Sequence, residues 1–206
     1  MIMYLKIILS VFAAAFILTI AFWRIHFLRD PERDIPTGKI LVSPADGRIL
    51  KVIQFDRSKL KIKKGLFGKI STLASDISPD GWLISIFMSP FDVHVNRAPL
   101  DGKVISTRHS KGNFFNASHF EDSLTNEKNE MILDTAIGKI KVIQIAGFLA
   151  RRIECFVKKG DRLKKGERYG LINLGSQVTL ILPNKIRPIV KEGDRVKSGS
   201  SSIARY

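Results

Sequence analysis

The sequence predicts a mainly β domain, a compact barrel or sandwich hybrid, preceded by an N-terminal helix that crosses or inserts into a membrane. Three observations carry this. From residue 39 onward, short runs rich in Ile and Val alternate with Gly, Pro, Asp and Asn, the pattern of half-buried strands punctuated by turns. The chain instead begins with an apolar stretch, uncharged over the seventeen residues from Ile7 to Trp23. Finally, two turn-like segments each occur twice.

The elements come in this order. As a helix, Ile7 to Trp23 reaches roughly 26 Å, the short end of what a hydrocarbon core needs. The apolar run continues past Ala13-Ala14-Ala15 and no small-x-small site precedes Arg24, which favours a retained anchor over a cleaved signal peptide. Arg24, Arg29 and Arg33 outnumber Lys6, so the positive-inside bias places the C-terminal domain on the cytoplasmic face of the membrane, with Trp23 at the interface. The expected division is an anchor over residues 1–28 and a domain over residues 29–206. Pro31, Pro36 and Gly38 make a short linker.

Candidate strands then run from Lys39 to Val42, Arg48 to Gln54, Trp82 to Phe87, Lys103 to Ser106 and Met131 to Thr135. Others run from Lys139 to Ile145, Ile153 to Val157, Gly170 to Leu174, Gln177 to Leu182 and Ile186 to Val190. Asp56 to Ser78 and Arg108 to Glu130 are polar and irregular, the second long enough for a lid or a dimer loop. Pro44-Ala45-Asp46-Gly47-Arg48-Ile49 is echoed by Pro99-Leu100-Asp101-Gly102-Lys103-Val104. Val157 to Gly166 (VKKGDRLKKG) is echoed by Val190 to Gly199 (VKEGDRVKSG). Asp-Gly suits turns that need a positive φ, and the second echo looks like the turns of a biotinyl- or lipoyl-type β-hybrid.

Charge narrows the partners. The 34 Lys and Arg against 19 Asp and Glu give a formal +15, which calls for something anionic. Zinc-finger spacing and aromatic RNA-binding motifs are missing, so nucleic acid is not favoured, whereas an anionic membrane surface fits the anchor. A lone Cys155 forbids an internal disulfide and offers no metal cluster; no metal is expected.

The chemistry concentrates at Leu174-Gly175-Ser176, between two strand-like runs. A glycine carbonyl can be approached closely and its backbone strained, and the following hydroxyl becomes a nucleophile if a base takes its proton. Alone, such a pair also fits a plain strand bulge. Its company is more specific: Phe27-Leu28-Arg29-Asp30-Pro31-Glu32-Arg33, Ser43-Pro44-Ala45-Asp46-Gly47, and Met88-Ser89-Pro90-Phe91-Asp92-Val93-His94-Val95-Asn96-Arg97. Asn126-Glu127-Lys128-Asn129-Glu130, Gln144-Ile145-Ala146-Gly147, Arg151-Arg152-Ile153 and Gly166-Glu167-Arg168 complete the set.

In that order these segments resemble the phosphatidylserine decarboxylases, in particular their short form. The resemblance implies a proenzyme that cleaves itself between Gly175 and Ser176 into a β chain of residues 1–175 and an α chain of residues 176–206. Ser176 would become a covalent pyruvoyl group, the cofactor that decarboxylates phosphatidylserine to phosphatidylethanolamine through a Schiff base. It also implies that His94 and Asp46 complete a hydroxyl–imidazole–carboxylate set with Ser176, and that the two chains stay associated; a homodimer stays open. Candidate substrate contacts are Gln177, Arg151, Arg152, Asn126 and Glu127. Two departures stand out. Phe91 occupies the place where long-form members carry a second histidine, leaving the source of the proton for Cα open. Gln177 stands where many short-form members carry an arginine. His26, His109 and His119 receive no role.

Two rivals remain. A non-enzymatic, membrane-anchored β-hybrid adaptor or carrier shares the turns, but neither a lysine-bearing hairpin tip nor a heptad-patterned hairpin is present. A decarboxylase of another amino-acid-headed lipid would share the whole machinery.

Overall fold

The computed structural model describes residues 1–56, 66–148, 152–173 and 175–206. The N-terminal apolar helix is longer than the uncharged run suggests. Helix α1 (Ile2–Ala21) continues into a π-helical segment, Phe22–Phe27, and Met3–Phe27 forms a 25-residue helix of mean hydropathy 2.4, long and apolar enough to cross a membrane. Lys6 is tolerated within it, exposed like its neighbours, whereas Phe27 at its end is fully buried in the domain.

Fourteen strands follow among the described residues: β1 (Ile40–Val42), β2 (Gly47–Asp56), β3 (Asp80–Met88), β4 (Val95–Arg97), β5 (Gly102–Ser110), β6 (Lys128–Thr135) and β7 (Gly138–Ile145). The remainder are β8 (Ile153–Cys155), β9 (Arg162–Leu163), β10 (Arg168–Ile172), β11 (Ser176–Pro183), β12 (Arg187–Pro188), β13 (Arg195–Val196) and β14 (Ser202–Arg205). Eight of them form one sheet in the order β13-β2-β3-β11-β7-β6-β5-β9, curled into a half-barrel. Two three-stranded sheets, β1-β14-β12 and β4-β10-β8, accompany it.

One apolar core, including Ile84, Ile86, Met88, Val142, Tyr169, Val178 and Leu180, joins the large sheet to residues of both small sheets. A second, with Leu83, Ile143, Ile145 and Ile181, lies under α2 (Leu66–Leu73) and α3 (Phe120–Ser123). Strand β11, buried from Ser176 to Leu182, therefore has both faces covered, and its apolar run does not alternate.

The echoed segments account for the architecture. Gly47 and Arg48 of β2 pair with Val196 and Arg195 of β13; their counterparts Gly102 and Lys103 of β5 pair with Leu163 and Arg162 of β9. Both β2 and β5 carry an irregularity at the equivalent place, between Ile49 and Lys51 and between Val104 and Ser106. The two Pro-x-Asp-Gly turns even exchange bonds, Arg97 N donating to Pro44 O (2.9 Å) and Val42 N to Pro99 O (3.0 Å). Each echo thus marks one half of a pseudo-twofold domain, and the second half, β4 to β10, is inserted into the first. In the second half β6 turns tightly into β7, Thr135 opposite Gly138. In the first half the chain leaves β3 at Met88, builds the inserted half, and returns opposite Met88 at Ser176 of β11.

Differences from expectation are local. The region read as irregular between Asp56 and Ser78 contains α2, because Leu66, Ile70 and Leu73 fall at helical spacing. The polar stretch from Arg108 to Glu130 yields its ends to β5 and β6. Strands of two to four residues, such as β4 and β14, are too short to show a period in the sequence.

Candidate active site

Ser176 opens β11 and is completely buried. The preceding Gly175 adopts φ +62°, a left-handed conformation that a side chain would oppose. Its carbonyl rests against the backbone of Gly147: a Cβ built on Gly147 would lie 1.6 Å from Gly175 O and 2.8 Å from Gly175 C. Gly147 is needed there for room. The Gly at the end of Gln144-Ile145-Ala146-Gly147 and the Gly before Ser176 form one close-packed backbone contact.

Ser176 Oγ donates to Met88 Sδ at 3.5 Å, a weak acceptor that leaves the hydroxyl loosely held. The same sulfur receives Asn96 Nδ2 at 3.7 Å. Behind Asn96 runs a buried amide chain: Gln144 Nε2 donates to Asn96 Oδ1 (2.9 Å), and Asn129 Nδ2 to Gln144 Oε1 (3.0 Å). Gln144, a polar side chain in the apolar run from Val142 to Ile145, could have been singled out from sequence; Asn96, in a three-residue strand beside Arg97, gives no such signal.

His94 precedes β4 and is fully buried. Its Nδ1 lies 2.8 Å from Asp92 O, and its buried Nε2 has no hydrogen-bond partner. The ring packs on Phe27 with centroids 4.2 Å apart, and Phe27 in turn stacks on Trp23 at 4.5 Å. The end of the apolar helix therefore covers this imidazole. Desolvation lowers the His94 pKa from 6.5 to about 4, more than the Asp92 carbonyl and carboxylate raise it, and the Arg29 charge lowers it further. The ring is neutral at pH 7, the form that can accept a proton.

Asp46 is buried as well but differently engaged. Its carboxylate receives Arg33 at 3.0 and 2.9 Å and the backbone N of Ser198 at 2.7 Å. Neither it nor His94 has the other among its hydrogen-bond partners. Asp101, its echo, receives Lys165 N at 2.6 Å in the equivalent turn. Pinning that turn is common to both halves; the arginine on Asp46 is the addition.

The remaining candidates scatter. Gln177 is fully buried on the strand face opposite Ser176, accepting from Ser123 Oγ (2.9 Å) and donating to Thr179 Oγ1 (2.9 Å). Asn126 closes the loop after β5, accepting from Phe115 N and donating to Phe115 O and Ala146 O, each at 2.8 Å. Glu127 lies 3.2 Å from His109 Nε2. Arg152 is largely exposed and paired with Glu154 at 3.0 Å. Arg151 and Leu174 lie outside the described residues. Among those described, no group of His, Cys, Asp and Glu is arranged to hold a metal.

Comparison with known proteins gives the family. A model of the phosphatidylserine decarboxylase family matches residues 20–204. The chain is 42% identical over 194 residues to a protein of Methanothermobacter thermautotrophicus named "Putative archaetidylserine decarboxylase proenzyme", covering 91% of this chain and 82% of that one. It is 40% identical over 179 residues to the phosphatidylserine decarboxylase proenzyme of Chlorobaculum tepidum, covering 86% and 73%. Against the proenzyme of the same name from Rickettsia africae it is 38% identical over 186 residues, covering 89% and 75%. A match that runs from the end of the anchor helix to the last strand makes this chain a member of the phosphatidylserine decarboxylase family.

Proposed function

We propose that the chain is a self-cleaving proenzyme whose mature form decarboxylates phosphatidylserine to phosphatidylethanolamine at the cytoplasmic face of the membrane. The observation that carries it is the Gly175 carbonyl, held against Gly147 beside a buried Ser176. Ser176 Oγ adds to the Gly175 carbonyl carbon while His94 Nε2 takes the hydroxyl proton, and the C–N bond gives way to an ester. Elimination then removes the Ser176 Cα proton to a base and breaks the Cβ–O bond, the Cα–H electron pair forming the Cα=Cβ bond and Gly175 leaving as a carboxylate. The dehydroalanine left at residue 176 takes up water and loses ammonia to become a pyruvoyl group.

That group supplies an electron sink for losing carbon dioxide from an amino-acid headgroup, which no side chain offers. The site suits it: its position is dry and enclosed by Met88 and the Asn96–Gln144–Asn129 chain. Neutral His94, its ring covered by Phe27 and its Nε2 without a hydrogen-bond partner, takes the Ser176 proton in this reading, which requires the hydroxyl to leave Met88 Sδ for the imidazole. Asp46 steadies His94 in this reading, which requires it to exchange Arg33 for the imidazole.

Residues 1–28 anchor the enzyme and residues 29–206 form the catalytic domain, with the echoed turns read as β-hybrid elements. The α chain, residues 176–206, stays in place because β11 lies between β3 and β7. The adaptor or carrier reading finds no support in relatives named decarboxylase proenzymes. The names of the relatives differ in the lipid but share the seryl headgroup, so another amino-acid headgroup is the less favoured substrate.

Intact mass under denaturing conditions tests the first half. Two chains split between Gly175 and Ser176, the smaller lacking one ammonia relative to a serine-started peptide, is the expected result; a single chain after prolonged incubation refutes it. Release of carbon dioxide from phosphatidylserine in mixed micelles tests the second half.

A further inference from the structure

The segment Phe27-Leu28-Arg29-Asp30-Pro31-Glu32-Arg33 joins anchor to domain, and its charged residues are almost all neutralised. Asp30 is held by Arg97 (2.7 Å) and by Arg168, and Glu32 by Arg168 (2.8 Å). Arg33 is on Asp46. Asp92 accepts from Ser89 N (2.8 Å) and Ser89 Oγ (2.7 Å) and lies 3.9 Å from Arg195.

Arg29 differs. Its guanidinium donates to two backbone carbonyls, His26 O and Phe91 O, each at 2.5 Å, and among the described residues it makes no salt bridge. A guanidinium has five N–H donors, so the fork keeps donors for an incoming acceptor. It is half-buried, and close enough to His94 for its charge to lower that residue's pKa. A partly solvated guanidinium held by carbonyls, without a carboxylate of its own, is a ready receptor for an anion.

Its depth says what. The apolar helix ends at Phe27, with Trp23 and Phe27 stacked at its last turn, so Arg29 stands just beyond the hydrocarbon boundary, at the level of lipid phosphates. Arginine suits that anion because its planar fork matches two phosphate oxygens at once.

We infer that Arg29 grips the phosphodiester of the lipid substrate as it enters from the bilayer beside the anchor, setting the headgroup's height against His94 and residue 176. This rests on the proposed decarboxylase function and names a headgroup-binding residue for it. The phosphodiester, rather than the seryl carboxylate, is the assigned ligand, so product and substrate are held alike.

The test uses the full-length, matured protein in detergent, quantified by the mass signal of its small chain so that only cleaved enzyme is counted. Binding of dihexanoyl-phosphatidylethanolamine, which has the phosphodiester but no carboxylate, is measured by calorimetry, and the KM for phosphatidylserine in mixed micelles. Losing a charge-assisted contact of this kind should weaken binding on the order of tenfold or more. Arg29→Gln should therefore raise the Kd and the KM together by that factor. Arg29→Lys, which keeps the charge but can neither span both carbonyls nor fork onto two phosphate oxygens, should fall between wild type and Arg29→Gln. Arg162→Gln, an exposed charge on β9, should change neither.

Unchanged Kd and KM in Arg29→Gln would overturn the assignment. So would a raised KM with unchanged Kd, which assigns Arg29 to the carboxylate. A loss in Arg29→Lys equal to that in Arg29→Gln would also do so, because the role would then be to tether Phe91. A wild-type enzyme that matures and binds the product analogue but leaves phosphatidylserine intact would instead refute the decarboxylase reading and leave the phosphodiester site standing.

Discussion

Replacing Gly147 with alanine should stop maturation without unfolding the domain. The new Cβ would stand 1.6 Å from Gly175 O, whereas ordinary contact begins at 3.4 Å, so the carbonyl must retreat by 3.4 − 1.6 = 1.8 Å. Its other close neighbour, Ala117 Cβ at 3.5 Å, is no obstacle. Gly147 is not among the glycines with positive φ, so alanine suits its backbone and the effect is one of room alone. Displacing a reacting atom by about 1 Å can cost on the order of a hundredfold in rate, and cleavage should slow by at least that. The assay is a time course of intact mass after synthesis, beside circular-dichroism melting. Gly160→Ala is the control: its φ is +103° and nothing lies within 4 Å, so it should cost about 1 kcal/mol of stability and leave cleavage untouched. A Gly147→Ala protein that melts normally and matures within threefold of wild type would refute the claim that this contact places the scissile carbonyl.

Ser176→Ala should abolish both cleavage and decarboxylation, and His94→Ala cleavage; normal maturation of either, read by mass, would remove it from the mechanism. Asp101→Asn should lower the melting temperature a little, since its carboxylate pins a turn, and Asp46→Asn more, since it also leaves buried Arg33 without its carboxylate, but only Asp46→Asn should slow cleavage. Equal maturation of the two would reduce Asp46 to a turn residue. Because burial holds His94 near pKa 4 in the fold against 6.5 when unfolded, the unfolded state binds more protons between these values. Stability should therefore be full above pH 6.5 and fall as pH drops towards 4, by about 3 kcal/mol at most from this residue. The cleavage rate should titrate near 4, and a midpoint near 6.5 would contradict the burial. The matured chains should co-elute on size exclusion in mild detergent at nanomolar concentration and separate only in denaturant; dissociation on simple dilution would show that β11 is not held as its position requires.

How much was legible in the sequence depended on length and on partners. The longer strands, β2, β3, β6, β7 and β11, declare themselves by composition, and the Gly175-Ser176 pair stands out between two of the runs. The echoed turns were visible too, yet not that each pairs with a copy of the other echo, because Arg48 and Arg195 are brought together by folding alone. For the same reason the Phe27 ring on His94 and the arginine on Asp46 were out of reach: each joins residues far apart in the chain. Gln177, read as a candidate substrate contact, faces Ser123 and Thr179 in the second core, a consequence of strand alternation that its neighbour Ser176 could have suggested.

The insertion of one half of the domain into the other gives the cut a direction in time. The bond between Gly175 and Ser176 lies where the chain re-enters the first half, a crossing that in the second half is a simple hairpin. The contact of the Gly175 carbonyl with Gly147, which follows β7, exists only once β11 lies between β7 and β3, so under the proposed mechanism the chain folds as one molecule before it is severed. Afterwards the ladder from Gln177 onward still holds β11 between β3 and β7, but the link that made folding unimolecular has gone. A matured molecule that unfolds must find its other piece in solution, at a rate set by concentration, with the residue that prompted the cut already consumed. The working enzyme thus persists by the height of its unfolding barrier, while its precursor persists by equilibrium.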